Sequence, residues 1–585
     1  MTNEILFTID GEESIGQVTK VDSYSVSVSV IEENKLEQVN VNGFVILFTS
    51  NPNIRLIGRI DRVLQSGVDY FQNDDGIEEV FNNAEVYINV LGTLKGVGAG
   101  REFTTFNRSV DTLPAIGSRC FLLNSERLTA FTRLIGDETT AQGTPLTIGS
   151  FTMANDADAI LDGNAFFQRH AMIVGSTGSG KSWTTATIIE QVADLPNANM
   201  IVFDLHSEYS PLSGHENIKV YRIAGPGDLN NPGDDVIFLP YWLLGYEDML
   251  ALILDRTDEN APNQAMAFSN IVVEAKRRIL VAEGLNEELE TFTIDSPVPY
   301  DLTFVIDELT RLNNERVINP GTNREINGPF NGKFSRFLPR LYAKKSDRRY
   351  GFLFNLNEEH LHTSYLLSLV NKLMRMADHE STGVKIIDFS EVPSDILPIV
   401  ISLVARLVFQ VQQWSPYDQR HPIALICDEA HLYLPSRQNA DASEGRALSH
   451  FERIAKEGRK YGVSLLIISQ RPSELNTTIM SQCNNVISLR LSNQSDKTAV
   501  CNLLPENLGG IQDLLPTLGI GEAIVVGDSC LLPSRIRIKE PIFKPNSNSV
   551  KFWNEWCNSI NEQNLNNSVQ NMRRQTMEEA LVVQD

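Results

Sequence analysis

A glycine-rich segment of eight residues constrains the fold of this chain more than any other feature. Residues 175–182 read GSTGSGKS. They follow the apolar run Ala171–Val174 and precede a sequence that favours a helix from Lys181 onward. Glycines let main-chain N–H groups turn toward a phosphate, and the helix N-terminus adds its positive end. The order strand, loop, helix therefore predicts a phosphate-binding loop within an α/β NTPase core.

This loop assigns specific roles to its residues. Lys181 is expected to reach the β and γ phosphates, and Ser182 to ligate Mg²⁺, so ATP and Mg²⁺ are the expected cofactors. The alternative is a merely flexible Gly/Ser turn, which the flanking strand and helix disfavour. The residues that we assign to nucleotide binding are Gly175, Thr177, Gly178, Ser179, Gly180, Lys181, Ser182 and Trp183.

A second apolar strand, near residues 423–427, ends in two carboxylates, Asp428 and Glu429. Asp428 is placed to hold the Mg²⁺ shell, and Glu429 to polarise the water that attacks the γ-phosphate. Taken alone, such a strand end is more often just solvated. In a chain that also carries the phosphate loop, we favour the catalytic interpretation.

Two further strand ends supply polar candidates. Gln470 follows the apolar strand near residues 465–469, and Asp204 follows the strand near residues 200–203. Ligands of parallel sheets bind at the carboxyl ends of strands, so Gln470 is expected to sense the γ-phosphate and Asp204 to contact the Mg²⁺ shell. The alternative for Gln470 is a side chain that satisfies loop backbone.

Arg453 and Arg459 lie on a predicted helix that Gly462 closes. Arg459 either stabilises the helix C-terminus or acts as an arginine finger on the nucleotide of a neighbouring subunit. The sequence leaves these two interpretations equal.

The length of 585 residues predicts several domains. Short alternating strands predict a small β-barrel at 1–145. Apolar strands alternating with helices predict a parallel-sheet ATPase core in two parts, 146–240 with the phosphate loop and 381–545. Residues 241–380 are expected to form a mostly helical insertion, whose clearest helices are predicted at 246–253 and 265–281. Residues 546–585 are expected to form a polar tail with a helix near residues 550–560.

Charge and cysteine content limit the function classes. The formal net charge of −24 argues against a protein that coats nucleic acid with its whole surface. The six cysteines include no CxxC pair, so reduced thiols are expected. We find no run of about 18 apolar residues and no signal peptide, and expect a cytoplasmic protein without a membrane.

One stretch, residues 311–350, is basic in this acidic chain. It carries ten Lys or Arg against three acids, with aromatic residues interleaved. It is a candidate for contacts with a nucleic-acid backbone, and a solvated face or a subunit interface is at least as good an interpretation.

Four motifs in this order resemble the HerA branch of the HerA/FtsK ATPases. They are the segment around the phosphate loop from Arg169 to Ser182, residues 202–209, residues 428–431, and residues 457–462 followed by 469–472. Ser207 is a minor departure, since many members have Gly there. The resemblance covers most of residues 1–540 and implies a RecA-like core behind an N-terminal barrel.

The resemblance also implies a homohexameric ring that moves double-stranded DNA through its central channel, with ATP bound between subunits. By position, Glu429 is the catalytic carboxylate, Gln470 the sensor and Arg459 the finger acting in trans. Arg169 matches another arginine near nucleotide.

Relatives of this type work with a partner, either a NurA-like nuclease or, in anti-phage systems, a nuclease or sirtuin-like NAD-consuming effector. The acidic barrel is expected to dock it. The alternative function is an ATP-switched scaffold that assembles an effector with little translocation.

Overall fold

The computed structural model describes most of the chain. The described residues are all except 1–2, 10–12, 24, 66–68, 73–77, 82–83, 98–102, 124, 142, 153, 322, 375–382, 441, 505–510, 548–551, 558–564 and 575–585. They fall into two compact units. Unit 1 comprises residues 1–191, 466–474 and 480–542, and unit 2 comprises residues 192–465, 475–479 and 543–585.

The strands, numbered along the chain, are β1 (Gly16–Val21), β2 (Ser25–Val30), β3 (Phe44–Phe48), β4 (Ile54–Gln65), β5 (Asp69–Gln72), β6 (Glu78–Phe81), β7 (Ala84–Val97), β8 (Phe103–Asn107), β9 (Arg119–Leu122), β10 (Pro145–Phe151), β11 (Ala154–Asp162), β12 (Ala171–Val174), β13 (Met200–Asp204), β14 (Ile218–Ile223), β15 (Val236–Ile237), β16 (Arg316–Ile318), β17 (Glu325–Asn327), β18 (Val384–Asp388), β19 (Ile423–Cys427), β20 (Val463–Ser469), β21 (Asn485–Ser488), β22 (Glu522–Val526) and β23 (Ser534–Ile538).

The α-helices are α1 (Glu33–Leu36), α2 (Ser125–Ala141), α3 (Gly163–Gln168), α4 (Lys181–Ala193), α5 (Tyr246–Ile253), α6 (Ala261–Glu283), α7 (Asn286–Thr291), α8 (Leu302–Asn314), α9 (Phe337–Ser346), α10 (Gly351–Phe354), α11 (Ser364–Leu373), α12 (Leu397–Trp414), α13 (Ala442–Tyr461), α14 (Thr477–Met480), α15 (Gln494–Cys501), α16 (Phe552–Cys557) and α17 (Leu565–Arg574).

Unit 1 begins with a closed antiparallel barrel. Six strands follow the order β2-β1-β9-β3-β4-β7, pairing of β2 with β7 closes the ring, and β8 extends it from β7. The strict alternation of β2 places Val26, Val28 and Val30 in the barrel core, where they are at most 1% exposed. Burial of the valine at every second position is the physical reason why this sequence forms a barrel strand.

The second sheet of unit 1 positions the phosphate loop. Its strands follow the order β11-β10-β23-β22-β21-β12-β20. β12 lies between β20 and β21 and is parallel to both, and all four of its residues are buried. The antiparallel strands β22 and β23 extend this sheet beyond β21. The phosphate loop follows β12, at the carboxyl ends of three parallel strands.

Unit 2 has its own parallel sheet, in the order β19-β13-β18-β14-β15. β13 and β19 are fully buried, as their continuous apolar sequences predict. Asp204 ends β13, and Asp428 directly follows β19, so both carboxylates lie at the same edge of this sheet.

Helices dominate the rest of unit 2. One described helix, α12, is long and apolar enough to cross a membrane, and 67% of it is buried inside the protein, which is the behaviour of a core helix. Its buried Arg406 donates from Nη2 to the main-chain oxygen of Leu243 over 2.6 Å.

The predicted fold class, a RecA-like α/β core with an N-terminal barrel and a mostly helical insertion, is confirmed. α5 begins and ends where the sequence pattern predicted. The exposed hairpin β16–β17 and the antiparallel strands β22 and β23 were not foreseen.

The predicted five-segment division stays a prediction. Within the tail, α16 lies inside the predicted helix near residues 550–560, and residues 548–551 and 558–564 lie outside the described part of the chain.

Candidate functional site

The phosphate loop is shaped by glycines in unit 1. Gly178 and Gly180 have φ values of +71° and +111°, which side-chain-bearing residues rarely adopt. A Cβ at Gly175 would lie 2.9 Å from the Cβ of Leu489. The sequence therefore needs glycine at these three positions for the loop to turn tightly between β12 and α4.

The loop presents unused donors. Among the described residues, the main-chain N–H groups of Thr177, Gly178 and Gly180 donate no hydrogen bond. Lys181 is only 7% exposed, and its Nζ lies 3.5 Å from the main-chain oxygen of Ser176. An ammonium group above a set of unpaired N–H groups at a helix N-terminus suits a polyphosphate.

Gln470 lies beside the loop. β20 pairs with β12 so that Ser469 is opposite Val174. The next residue, Gln470, accepts a hydrogen bond at Oε1 from Thr177 Oγ1, with 2.5 Å between the oxygens. Unit 1 thus brings the predicted sensor into contact with the phosphate loop. Its catalytic role stays a prediction.

The acidic strand end is buried in unit 2. Asp428 and Glu429 are 4% and 6% exposed. Burial raises the pKa of Asp428 well above its usual value, and the neighbouring carboxylates Glu429, Glu208 and Asp204 raise it further. Glu429 has a φ of +42°, and its Oε2 lies 3.4 Å from the Nδ1 of His431. A non-glycine residue in this conformation is held there at an energetic cost, which is typical of functional positions.

Asp204 supports the turn that follows β13. Its Oδ1 accepts from the main-chain N–H groups of His206 and Glu208, and its Oδ2 from that of Tyr209, over 3.3, 3.0 and 2.9 Å. Burial outweighs these hydrogen bonds and raises the pKa of Asp204 to about 6. Ser207 in this turn has a φ of +55°, a conformation that favours glycine. Asp204 therefore stabilises the turn after β13 through these hydrogen bonds, and its contact with Mg²⁺ stays a prediction.

The available side chains fit Mg²⁺. Ser182 at the start of α4 in unit 1 and Asp428 in unit 2 each carry an oxygen of the type that this ion prefers. The crowded carboxylates that raise the pKa of Asp428 favour a nearby cation. The binding of one Mg²⁺ ion by both residues stays a prediction. Within the described residues, no three His, Cys, Asp or Glu side chains are grouped to hold a metal by themselves.

Arg169 lies at the other end of β12. It follows α3 and precedes the strand, whereas the phosphate loop follows the strand. Its Nη1 forms an ion pair with Asp528 Oδ2 over 2.6 Å. About 13 Å of strand therefore separate Arg169 from the loop of its own chain. Its assignment near nucleotide stays a prediction.

The structure separates the two helix arginines. Arg453 forms an ion pair with Glu457, a hydrogen bond with Gln413 and a cation–π contact with Phe409. The exposed Arg459 side chain has no ion pair or hydrogen bond among the described residues. It lies in the last turn of α13, just before Gly462, whose main-chain oxygen accepts from Ile423 at the start of β19. Arg459 therefore lies near the start of β19 and has no side-chain partner among the described residues, whereas Glu429 lies beyond the other end of this strand.

Half of the cations in residues 311–350 are paired with acidic residues of their own unit. Five of the ten cations form ion pairs, with N···O distances from 2.7 to 3.7 Å. These five are Arg311, Arg316, Arg340, Lys344 and Arg349. Three of the interleaved aromatic residues, Phe334, Phe337 and Tyr350, are at most 2% exposed and are core residues, whereas Tyr342 is 48% exposed. The count of charges along the sequence overstated the free positive charge, because partners such as Asp255 and Asp395 are distant in sequence.

Sequence reasoning missed the turn that supports the phosphate loop. The main-chain N–H of Gly521 donates to the oxygen of Ser179 over 3.0 Å. The pair Gly519 and Gly521, directly before an apolar strand, was the available signal.

Comparison with known proteins identifies the central region. Residues 146–408 match the family model described as the central domain of helicase HerA. A probable helicase of Methanocaldococcus jannaschii is 27% identical over 403 residues, which are 67% of this chain and 66% of the relative. The DNA double-strand break repair helicases HerA of Pyrococcus furiosus and Saccharolobus solfataricus are 24% and 26% identical. These matches cover 67% and 64% of this chain and 69% and 64% of the two relatives, so the chain spans about two thirds of their length.

Two solved structures show a more distant likeness. VirB4 of Thermoanaerobacter pseudethanolicus is 16% identical with a TM-score of 0.42, and the match covers 70% of this chain and 98% of VirB4. The plasmid coupling protein TrwB in complex with ADP and Mg²⁺ is 13% identical with a TM-score of 0.43, over 72% of this chain and 93% of TrwB. Residues 146–408 are thus similar to the central domain of helicase HerA, and the chain as a whole is similar to HerA-type helicases over about two thirds of its length.

Proposed function

We propose that this chain hydrolyses ATP to move double-stranded DNA. The observation that carries the proposal is the phosphate loop of unit 1, which combines N–H groups without a partner among the described residues with the Lys181 ammonium and a hydrogen bond to Gln470. The DNA-repair helicase relatives supply the substrate class.

The proposed roles follow from the chemistry of each side chain. Lys181 neutralises the β and γ phosphates, and Ser182 and Asp428 hold Mg²⁺, which when bound screens the charge of the phosphates. Glu429 polarises the attacking water, and Gln470 orients it or senses the γ-phosphate.

We further propose a homohexameric ring in which ATP lies between subunits. The support is the position of Arg459, which has no side-chain partner in the described part of the chain and is about 17 Å of strand away from Glu429 of its own chain. Trp414 and Tyr417 are 82% and 86% exposed, and the guanidinium of Arg420 lies 5.9 Å from the ring centre of Tyr417. Exposed aromatic residues beside arginines are typical of protein interfaces.

The N-terminal barrel is the proposed docking surface for a partner, which we expect to be a NurA-like nuclease or a defence effector of the nuclease or sirtuin-like NAD-consuming type. Residues 1–145 hold 20 Asp or Glu against 11 Lys or Arg. The barrel also exposes Phe103 and Ile116 to 73% and 75%. An acidic surface with apolar residues fits a protein partner better than DNA.

A second candidate function is an ATP-switched hexameric scaffold that activates an effector with little translocation. The ion pairs within the segment 311–350 and the net charge of −24 favour it, because both reduce the positive charge available to DNA.

The two functions differ in how ATP hydrolysis responds to DNA. A motor should hydrolyse faster as double-stranded DNA becomes longer, whereas a scaffold should ignore DNA and respond to a partner. ATPase rates with duplexes of increasing length, on protein whose mass in solution is measured, decide between them. A rate that is independent of DNA at every length would contradict the motor.

A further inference from the structure

The turn formed by residues 519–522 lies against the phosphate loop, on the flank opposite Gln470. β22 is antiparallel to β21, so the residues just before β22 lie at the carboxyl end of β21. In the strand order β22-β21-β12-β20, β12 with its loop lies between this turn and Gln470. The two features therefore flank the loop on opposite sides.

Main-chain contacts hold the turn in place. The N–H of Gly521 donates to Ser179 O over 3.0 Å, and Ile538 donates to Gly521 O over 2.8 Å. A Cβ at Gly180 would lie 3.4 Å from the Cα and N of Gly521. The backbone of the turn is thus in close contact with the loop that holds the phosphates.

The turn is also rigid in itself. Glu522 N–H donates to Gly519 O over 3.2 Å, and Gly521 has a φ of +72°, as in a type II turn with Ile520 at its first central position. Burial opposes ionisation of Glu522, but hydrogen bonds from Arg535, Gly519 and Arg537 outweigh it and lower its pKa to about 2. The ionised carboxylate fixes the N–H of Gly519 over 3.0 Å.

Ile520 stands at the tip of this rigid turn and is 74% exposed. A single exposed apolar residue is ordinary on protein surfaces. Ile520 differs from such a residue in two respects. The next residue, Gly521, is hydrogen-bonded through its main chain to the phosphate loop. Because residues 519 and 521 are both glycines, no adjacent side chain covers the side chain of Ile520. Such an arrangement presents one branched apolar group next to a nucleotide site.

The direction of the nucleotide connects these observations. The γ-phosphate and the nucleoside are at opposite ends of a nucleoside triphosphate. If Gln470 marks the γ-phosphate, as the proposed function states, the nucleoside extends from the other flank, where Ile520 lies. A nucleotide base has a flat apolar face. An aliphatic side chain can pack against this face without forming hydrogen bonds to the edge of the base.

We propose that Ile520 forms the apolar contact for the base of the bound nucleotide. This inference rests on the proposed function, because it needs a nucleotide in the phosphate loop. By this contact the site binds nucleotides with any base more tightly than inorganic polyphosphate. Affinity for the base comes from surface contact, so ATP and GTP are expected to bind within about a few-fold of each other.

The test compares ligands with and without a base. Dissociation constants of ADP and of inorganic tripolyphosphate are measured by calorimetry for the full-length wild type, Ile520→Ala, Ile520→Val and Ile542→Ala. Ile542 is 80% exposed in the same unit and is the matched control. We expect Ile520→Ala to weaken ADP binding about tenfold and tripolyphosphate binding less than twofold. Ile520→Val should retain most of the ADP affinity, and Ile542→Ala all of it.

Three outcomes overturn the inference. Unchanged ADP affinity in Ile520→Ala shows that the side chain does not touch the base. An equal loss for ADP and tripolyphosphate shows that the turn only braces the phosphate loop. Wild-type protein that binds neither ligand refutes the proposed function itself, and the inference with it.

Discussion

Thr177 in the phosphate loop donates a hydrogen bond from Oγ1 to Oε1 of Gln470 over 2.5 Å. Residues 293 positions apart in the sequence therefore share one contact, because β12 and β20 are adjacent parallel strands that end at the same edge. This contact fixes where a sensor of the γ-phosphate would lie.

Removal of the sensor should separate binding from catalysis. We expect Gln470→Ala to bind ATP nearly as wild type and to hydrolyse it about a hundredfold more slowly, because only a group that acts on the reacting end is lost. Steady-state kinetics and ATP titration measure both quantities. Thr177→Ser keeps the hydroxyl donor and should stay near wild type, whereas a Gln470→Ala enzyme with normal turnover would remove this residue from the mechanism.

Substitutions in the phosphate loop and at the acidic strand end should impair different steps, ATP binding in the first case and ATP hydrolysis in the second. Lys181→Ala should weaken ATP binding by about a hundredfold or more, because the ammonium that contacts the phosphates is lost. Glu429→Gln should bind ATP and stall, since it lacks only the charge that polarises water. Filter binding with labelled ATP, followed by product analysis, distinguishes the two. Normal turnover in Glu429→Gln would refute its assigned role.

Arg459 and Glu429 lie at opposite ends of β19, which leads to a prediction for mixed oligomers. Arg459→Ala and Glu429→Gln should each be inactive alone. Mixed and allowed to exchange subunits, they should regain ATPase activity, because some interfaces then combine an intact Glu429 with an intact Arg459 from the other chain.

Subunit exchange must be shown independently, for example by fluorescence transfer between labelled chains. Arg453→Ala is the matched control, since Arg453 is on the same helix and is paired within its own chain. Mixtures that exchange and stay inactive would argue against action in trans, and full activity of Arg459→Ala alone would eliminate the finger.

The basic stretch should divide into two classes of cation. Arg324, Lys333 and Lys345 have no side-chain ion pair or hydrogen bond among the described residues, whereas Arg340, Lys344 and Arg349 are paired. If the stretch contacts DNA, changing the first three residues to Gln should weaken binding and lower its salt slope by up to about 3.

Changing the paired three to Gln should instead lower the melting temperature and leave the salt slope nearly unchanged. Fluorescence anisotropy at several salt concentrations and thermal denaturation measure these effects. Loss of the oligomer with unaltered DNA binding would identify the stretch as a subunit interface.

Lys276 should make stability depend on pH. Burial lowers the pKa of Lys276 from 10.5 to about 8, although its Nζ donates to the main-chain oxygens of Ile294 and Ser296 over 2.6 Å. Between these two pKa values the unfolded chain binds more protons than the folded one, so stability rises with pH in this window.

Relative to Lys276→Met, the wild type should therefore gain stability from pH 8 toward pH 10, by at most about 3 kcal/mol. Melting temperatures of both proteins across this range measure the gain. A constant difference between them at all pH values would show that the ammonium is not penalised by its burial.

The sequence by itself determined the elements whose signals are local. The spacing of the phosphate loop, the alternating valines of β2 and the continuous apolar runs of β12, β13 and β19 each carry their structure within a few residues. The bounds of α5 were predicted for the same reason. Asp428, Glu429 and Gln470 were found because they directly follow such strands.

Tertiary structure decided what depends on partners distant in sequence. It paired Arg453 and left Arg459 free, and it neutralised Lys344 with Asp395 and Arg340 with Asp255. It also brought Gly521 to Ser179 across the sheet, which placed Ile520 beside the phosphate loop. A sequence pattern records the type and spacing of side chains, whereas pairing depends on which strands become neighbours, and the burial of apolar surface in the folded chain determines that arrangement.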